Sequence, residues 1–311
     1  MAINNVTGAQ SIIKAGVCTS ATRPPSPFVG QLIFETDTSR LKVYLGSVSG
    51  WSTGTLHSST FNAEVLVVAG GGGGGTGQGG LSRYGGGGGA GGHRLNSAMT
   101  LSKGVQYVAV VGAGGSVSGP TGGDGTAGVA SSFNGYAASG GGFGNWGNGD
   151  GVAAGSGGSG GGGGGNSDLA GGAGNVGGYT PVEGYAGGNG VNTGSGPGGG
   201  GGGAGGAGAT STAGVGASTS ITGTPVTRAT GGQGSVADAG TNGPANTGNG
   251  GSSGGHDDNT YVAGTGGSGV VIIAYPNTNA LAASTTGSPT YSSARAGYHV
   301  YTFTASGTIT F

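Results

Sequence analysis

The sequence predicts an all-β protein built around a glycine-rich bundle. Glycine supplies 88 of the 311 residues, short apolar runs interrupt the glycine, and no stretch has the apolar period of an α-helix of ordinary length. Two apolar runs, EVLVVA at 64–69 and GVVIIAY at 269–275, bound the longest glycine-rich region. These runs predict strands, and we expect almost no α-helix.

Glycine recurs at every third position in several stretches of this region. The series are Gly119, Gly122, Gly125 and Gly128; Gly184, Gly187 and Gly190; and Gly196, Gly199, Gly202, Gly205 and Gly208. A polyproline II helix has three residues per turn and no internal hydrogen bonds, so each series gives a segment one bare backbone face. Because buried N–H and C=O groups need partners, we predict a polyglycine II bundle with lateral hydrogen bonds. Glycine this dense also produces such series by chance, and a low-complexity chain is the alternative.

Charge and cysteine content exclude several classes of protein. Only 6% of residues are charged and the net charge is −1, so no nucleic acid or anionic membrane partner is expected. The single cysteine, Cys18, rules out an intrachain disulfide and predicts a small buried side chain. No apolar run reaches the length of a membrane span, and residues 1–17 lack a signal-peptide pattern. We expect no membrane insertion.

Composition shifts divide the chain into four regions. We predict an N-terminal arm at 1–22, a small β attachment module at 23–62, the glycine-rich polyglycine II/β domain at 63–276 and a C-terminal β-hairpin at 277–311. In the attachment module, the runs 30–36 and 41–45 predict strands joined by a turn at 37–40, and Trp51 is expected to close the unit.

Further strands are predicted inside and after the glycine-rich region. The runs at 64–69, 105–111 and 269–275 are mostly apolar rather than alternating, which predicts strands buried on both faces. Residues 297–311 alternate polar and apolar side chains about Ser306 and Gly307, a pattern typical of a half-buried β-hairpin.

Several of these segments resemble structural proteins of tailed bacteriophages. RPPSP at 23–27, GQLIFETDT at 30–38, KVY at 42–44 and Trp51 together resemble a small β-module near the start of phage tail-fibre and appendage proteins. The order VLVVAGG, VVGAGG, SSF and GGSGVVII is similar to the glycine-rich domain of such proteins, and FTASGT at 303–308 resembles a unit found beside it. In related proteins that unit more often precedes the first of these strands, which leaves the strand order open.

The resemblance implies a non-enzymatic virion protein, a tail fibre or short appendage that contacts a host surface receptor. It also implies a homotrimer, attached to other virion proteins through its N-terminal region, with a glycan or outer-membrane protein as receptor. A head fibre or capsid decoration protein is the first alternative. An ice-binding or structural glycine-rich protein is the second.

Motifs that could support catalysis or metal binding are weak. GGSGG at 157–161 fits the Gly-x-Ser-x-Gly pattern, but no strand-to-helix context surrounds it. The cluster HDDN at 256–259 offers oxygen ligands once only, without the repeat of calcium β-rolls. The acidic residues and histidines do not form a pair or spacing suited to acid–base or metal chemistry. Those considered are Asp124, Asp150, Asp168, His57, His93 and His299. We predict no catalytic residue, metal or cofactor.

Aromatic side chains among small polar residues are the remaining candidates for recognition. Flat rings beside amide groups suit sugars and receptor surfaces. The alternative is that these rings cover the ends of the bundle or pack between subunits. The candidate receptor-contact residues are Phe143, Trp146, Tyr84, Tyr136, Tyr179, Tyr185 and Tyr261.

Overall fold

A computed structural model describes residues 16–38, 40–47, 50–51, 60–78, 83–117, 122–147, 152–165, 169–192, 196–236, 238–255 and 262–311. The chain divides into two compact units, Met1–Ser59 and Thr60–Phe311. Within the described residues the secondary structure consists of β-strands without any helix, which confirms the predicted all-β class.

The N-terminal unit is a three-stranded sheet. Its strands are β1 (Gly16–Cys18), β2 (Leu32–Glu35) and β3 (Arg40–Val43). β2 and β3 form the predicted antiparallel hairpin, and β1 pairs with β2 in parallel. Trp51 bridges to Tyr44 with the two ring centroids 5.3 Å apart, as expected for a residue that closes the unit. Cys18 is half-buried rather than fully buried.

The second unit contains twelve further strands among its described residues. They are β4 (Thr60–Val68), β5 (His93–Ser102), β6 (Gln106–Val110), β7 (Ser131–Phe133), β8 (Tyr136–Ala138), β9 (Ala217–Thr219), β10 (Val226–Arg228), β11 (Val270–Pro276), β12 (Ser284–Thr285), β13 (Thr290–Ser292), β14 (Tyr298–Phe303) and β15 (Gly307–Thr310). They form a first sheet in the order β13-β14-β11-β4-β5, a second sheet in the order β12-β15-β6-β7-β8, and a β9–β10 ribbon.

The two five-stranded sheets pack as a sandwich. Alternate residues of β4, β11 and β14 face the second sheet and share a core with its inward side chains, among them the fully buried Phe133, Phe303 and Ile309. The other face of the first sheet is covered as well: Leu66, Ile272 and their neighbours pack against residues of the glycine-rich region and the loop after β9. Burial on both faces explains the continuous apolar runs of β4 and β11, as predicted.

β6 departs from that prediction. Its burial alternates, with Tyr107 and Ala109 in the core and Val108 and Val110 exposed by 53% and 40%. At β6, the second sheet is covered on one face, the face toward the first sheet. An apolar run in this strand therefore does not mean that both faces are buried. Valine is enriched in strands because its branched side chain fits a pleated, half-buried surface, so a valine-rich run does not require burial on both faces.

The predicted C-terminal hairpin is wrong in its pairing. Both strands exist, but β14 pairs with β11 and β13 in the first sheet, whereas β15 pairs with β6 and β12 in the second. The residues between them, 304–306, carry the chain from one sheet to the other. Alternation predicts which side chains face the core, but the same inward face can be satisfied from either layer of a sandwich.

The glycine-rich region forms a lattice of extended segments joined by lateral backbone hydrogen bonds. In segment 70–77, successive N–H groups donate to three different neighbouring segments, and every third residue donates to the same segment. Gly70, Gly73 and Thr76 donate to Val129, Thr126 and Gly123; Gly71 and Gly74 donate to Gly267 and Gly264; and Gly72 and Gly75 donate to Gly89 and Gly86, all at 2.8–3.1 Å.

Segment 85–92 lies inside this lattice. Among the described residues it exchanges backbone hydrogen bonds with six surrounding segments, 70–77, 139–147, 159–165, 198–203, 231–235 and 248–255. Only glycine fits at these contacts: a Cβ added at Gly86, Gly87, Gly88 or Gly89 would overlap a neighbouring backbone carbonyl. Ala90 is the exception, and its methyl group joins the core under the first sheet.

The three-residue glycine series mark the faces of close approach. Gly125 and Gly128 lie against the carbonyls of Gly73 and Gly70, and Gly187 and Gly190 lie against those of Gly161 and Gly164. These contacts confirm the polyglycine II prediction. Gly119 lies outside the described residues.

Candidate functional site

One end of the bundle gathers larger and polar side chains, and we call it the tip. It comprises the described residues Thr76–Gln78, Arg83–Tyr84, Gly122–Asp124, Asn145–Gly147 and Gly164–Gly165. Backbone hydrogen bonds tie them together: Gly147 donates to Thr76, Thr76 donates to Gly123, and Gly165 donates to the carbonyl of Tyr84, at 2.9–3.1 Å.

Trp146 is the largest side chain of the tip. Its ring covers Gly122, where an added Cβ would lie 2.7 Å from ring carbon Cζ2. Gly122 has a φ of +101°, so both the close approach of the indole and the backbone conformation require glycine. The indole is half-buried, and its Nε1 is buried with no hydrogen-bond partner among the described residues.

Asp124 holds the main chain and side chain beside Trp146. Its Oδ1 accepts the Trp146 backbone N–H at 2.7 Å and the Asn145 Nδ2 at 3.1 Å. Asn145 is fully buried and also donates to the carbonyl of Val152 at 3.0 Å, while its own Oδ1 is buried without a partner in the described chain. The Asp124 carboxylate therefore holds the main chain of Trp146 and the neighbouring amide of Asn145.

Arg83 and Tyr84 form the neighbouring part of the tip. Arg83 pairs with Gln78 through a backbone bridge, and its Nη1 donates to Gln78 Oε1 at 2.8 Å. Tyr84 is half-buried, and the backbone of Gly147 lies next to it. The tip thus presents one guanidinium, one carboxylate, amides and two aromatic rings within a few adjacent segments.

The other candidate aromatic residues lie elsewhere. Tyr136 on β8 and Tyr179 face each other across the Arg94 guanidinium, whose Cζ lies 4.1 Å and 3.5 Å from the two ring centroids. Burial raises the pKa of Tyr136. Phe143 lies along the flank over Gly155, and Tyr185 is exposed on another flank segment. Tyr261 lies outside the described residues.

The described residues contain no group of three or more His, Cys, Asp or Glu side chains that could hold a metal ion. The cluster at 256–259, together with Asp150, Asp168 and His57, falls outside them. No helix in the described part of the chain is long and apolar enough to cross a membrane.

Asn145, Asp124 and Arg83 were not predicted as site residues. Isolated polar residues in a glycine-rich stretch signal little, because the sequence does not show which segments become neighbours. Only Asn145 has a signal in the sequence, because it lies in GFGNWG at 142–147, where bulkier residues interrupt the glycine.

Fold and tip together define an all-β protein in which a lattice of glycine-rich segments packs against a β-sandwich. A family model described as a glycine-rich domain matches residues 47–276, and the chain belongs to that family. A search of curated proteins found no match.

Proposed function

We propose that this protein is a non-enzymatic virion component of a tailed phage, a tail fibre or short appendage that binds a host surface receptor through the tip. The observation that carries the proposal is the convergence of Trp146, Tyr84 and Arg83 at one end of a bundle whose interior is glycine. Aromatic and arginine side chains dominate binding energy at interfaces. A glycan or an outer-membrane protein is the receptor class these side chains suit.

The scaffold supports recognition because it is preorganised. Segments 70–77, 85–92 and 139–147 hold the tip through main-chain hydrogen bonds that repeat every three residues. A binding surface fixed before contact loses less conformational entropy on binding.

The N-terminal unit is suited to attachment. It leaves Phe28, Val29 and Leu45 exposed by 68%, 71% and 54%, and Val29 and Leu45 lie next to the paired residues Gly30 and Tyr44. An apolar patch of this kind on a small unit is typical of protein–protein contact. We propose that it contacts other virion proteins or sister chains of a homotrimer, with the protein mounted on the tail.

Cell binding by Trp146→Ala tests the proposal. Removing a central tryptophan contact costs about 2 kcal/mol or more, so we expect binding of the purified protein to host cells to fall at least about thirty-fold. Tyr185→Ala, on the flank, is the matched control and should bind as the parent does. Unchanged binding by a folded Trp146→Ala protein would show that the indole only covers the bundle end. Immunogold labelling of virions distinguishes the tail from the capsid, where a head fibre or decoration protein would lie.

A second candidate function is ice binding, because one flank of the bundle is flat and regular. Three adjacent segments are joined by hydrogen bonds from Ala154 to Ala170 and from Gly187 to Gly172. Each displays small exposed side chains three residues apart: Ala153 and Ser156, Ala170 and Ala173, and Ala186 and Asn189. Thermal hysteresis of the purified protein measures this activity, and its absence eliminates the candidate.

A further inference from the structure

A pocket of about 310 Å³ lies at the start of edge strand β5, away from the tip residues. Its walls include His93, Arg94 and Leu95 of β5, Tyr136 of β8, Val182, and Ala217 of β9. Leu95 and Val182 are exposed by 42% and 45%, so the pocket opens to solvent between them. Pockets that take small molecules start at about 300 Å³, which limits this one to a ligand the size of a single sugar ring.

Arg94 is fixed in one position on one side of the pocket. Its guanidinium lies between the rings of Tyr136 and Tyr179, and its Nη1 donates to the carbonyl of Ala137 at 2.5 Å. The two ring contacts and this hydrogen bond engage part of the guanidinium, and the planar group has further N–H donors for a ligand. Ion pairs among the described residues do not include Arg94.

Arg228 brings a second cation to the same region. It is paired across the β9–β10 ribbon with Ala217, which lines the pocket, and directly opposed residues project from the same face, so the Arg228 side chain projects from the same face of the ribbon as Ala217. Thr219 lies on that face too. Arg228 Nη1, Thr219 Oγ1 and His93 Nε2 are all buried without a hydrogen-bond partner in the described chain.

The surrounding electrostatics favour an anion. Burial lowers the pKa of His93 to about 4, with Arg228 adding to the shift, so the imidazole is neutral at pH 7. Burial also lowers the pKa of Arg228. The nearest carboxyl group, that of Glu183, is fully buried and already accepts N–H groups from Ser139 at 2.8 Å and Gly177 at 3.4 Å. The pocket therefore has the Arg94 guanidinium in its wall and Arg228 nearby, and the Glu183 carboxylate is already engaged by backbone N–H groups.

We propose that this pocket binds a carboxylate-bearing monosaccharide. The carboxylate would pair with Arg228 and with the further N–H donors of Arg94, an arrangement that planar guanidinium groups favour. The sugar ring would lie against the apolar side chains of Leu95 and Val182, while Thr219 and His93 face its hydroxyl groups. Such a site is separate from the tip and does not depend on the function proposed for it.

Saturation-transfer NMR with sodium glucuronate and with glucose tests the proposal on the full chain. The two sugars differ in the carboxylate, so we expect saturation transfer to glucuronate and at least ten-fold weaker binding of glucose. Arg228→Gln removes one cation and should weaken glucuronate binding at least ten-fold. Equal binding of both sugars, or no binding of glucuronate, would overturn the proposal.

A second variant keeps the test decisive if Arg228→Gln does not fold. Leu95→Trp enlarges an exposed side chain at the mouth and should block glucuronate without changing the melting temperature. Val108→Trp, at an exposed position of the second sheet, is the matched control and should bind as the parent does. Glucuronate binding that persists in Leu95→Trp would place the sugar elsewhere and refute the site. Competition by inorganic sulfate as strong as by glucuronate would reduce it to a simple anion site, and would also refute the sugar assignment.

Discussion

Gly88→Ala tests whether the lattice depends on bare backbone contact. Gly88 lies in the central segment 85–92, donates to Gly251 and accepts from Gly232, both at 2.8 Å. A Cβ at this position would overlap the carbonyl oxygen of Gly72 and lie 2.7 Å from its carbonyl carbon, whereas real Cβ atoms essentially never come within 3.0 Å of another heavy atom. The segments must therefore separate, and no flexible side chain is present to absorb the change.

The expected cost follows from these contacts. One buried hydrogen bond left unmade costs about 1–3 kcal/mol, and forcing extra volume into a packed interior costs about 1–3 kcal/mol. Alanine recovers about 0.4–1 kcal/mol by restricting the unfolded chain. The net loss in the free energy of unfolding is about 3 kcal/mol, which lowers the melting temperature of a unit this size by roughly 6–12 °C.

Differential scanning calorimetry measures this loss, and Gly206→Ala is the matched control. A Cβ at Gly206 meets only the Cγ2 of the exposed Val215, at 3.3 Å, so we expect a change below about 1 kcal/mol. If Gly88→Ala melts within 2 °C of the parent, or if Gly206→Ala is equally destabilised, the lattice argument is wrong.

Three further substitutions test the sandwich and its edges. Burial lowers the pKa of His93 to about 4 in the folded chain, against 6.5 ordinarily. The stabilisation from its neutral form is complete above pH 6.5, and about 3 kcal/mol of the free energy of unfolding is lost as the pH falls from 6.5 toward 4. The melting temperatures of His93→Gln at pH 7 and 4.5 should differ less than those of the parent, and an equal difference would contradict this. Arg295 donates to Glu64 from Nη1 at 2.9 Å and from Nη2 at 2.6 Å, so Arg295→Gln should lower the urea midpoint by the equivalent of about 1–2 kcal/mol, and an unchanged midpoint would show that solvent replaces the pair. Tyr275 is fully buried and its hydroxyl donates to the carbonyl of Ala280 at 3.2 Å, so Tyr275→Phe should cost about 1 kcal/mol in calorimetry, and a gain in stability would argue against that bond.

The sequence predicted those elements of the fold in which a residue type has a single structural role. Apolar runs placed β4 and β11, and glycine at every third position in Gly184, Gly187 and Gly190 marked a real face of close approach. Strand pairing was not predictable, because the burial pattern specifies which side chains face the core and not which strand lies alongside. β14 and β15 each bury apolar side chains in the same core, yet they reach it from different sheets.

The arrangement of the candidate residues was not predictable from the sequence. Aromatic residues were predicted as recognition candidates by their type, but nothing in the sequence separates Trp146 and Tyr84, which lie at the tip, from Tyr136 and Tyr179, which lie against Arg94. Lattice neighbours are far apart in the chain, as with Gly165 and Tyr84. Uniform glycine segments carry no information about which of them pair.

The same uniformity separates the scaffold from the tip. Lateral hydrogen bonds of the bundle join main-chain atoms, so the position of segment 139–147 is set by its glycines at the close contacts and not by Trp146 at its end. Asp124 then holds the main chain of Trp146, whose ring lies over Gly122. Substitutions at the tip should therefore leave the lattice intact, whereas almost any side chain added inside the lattice forces segments apart. Under the proposed function, this division would let the receptor specificity change without refolding, and the contrast between Trp146→Ala and Gly88→Ala in melting temperature measures the division directly.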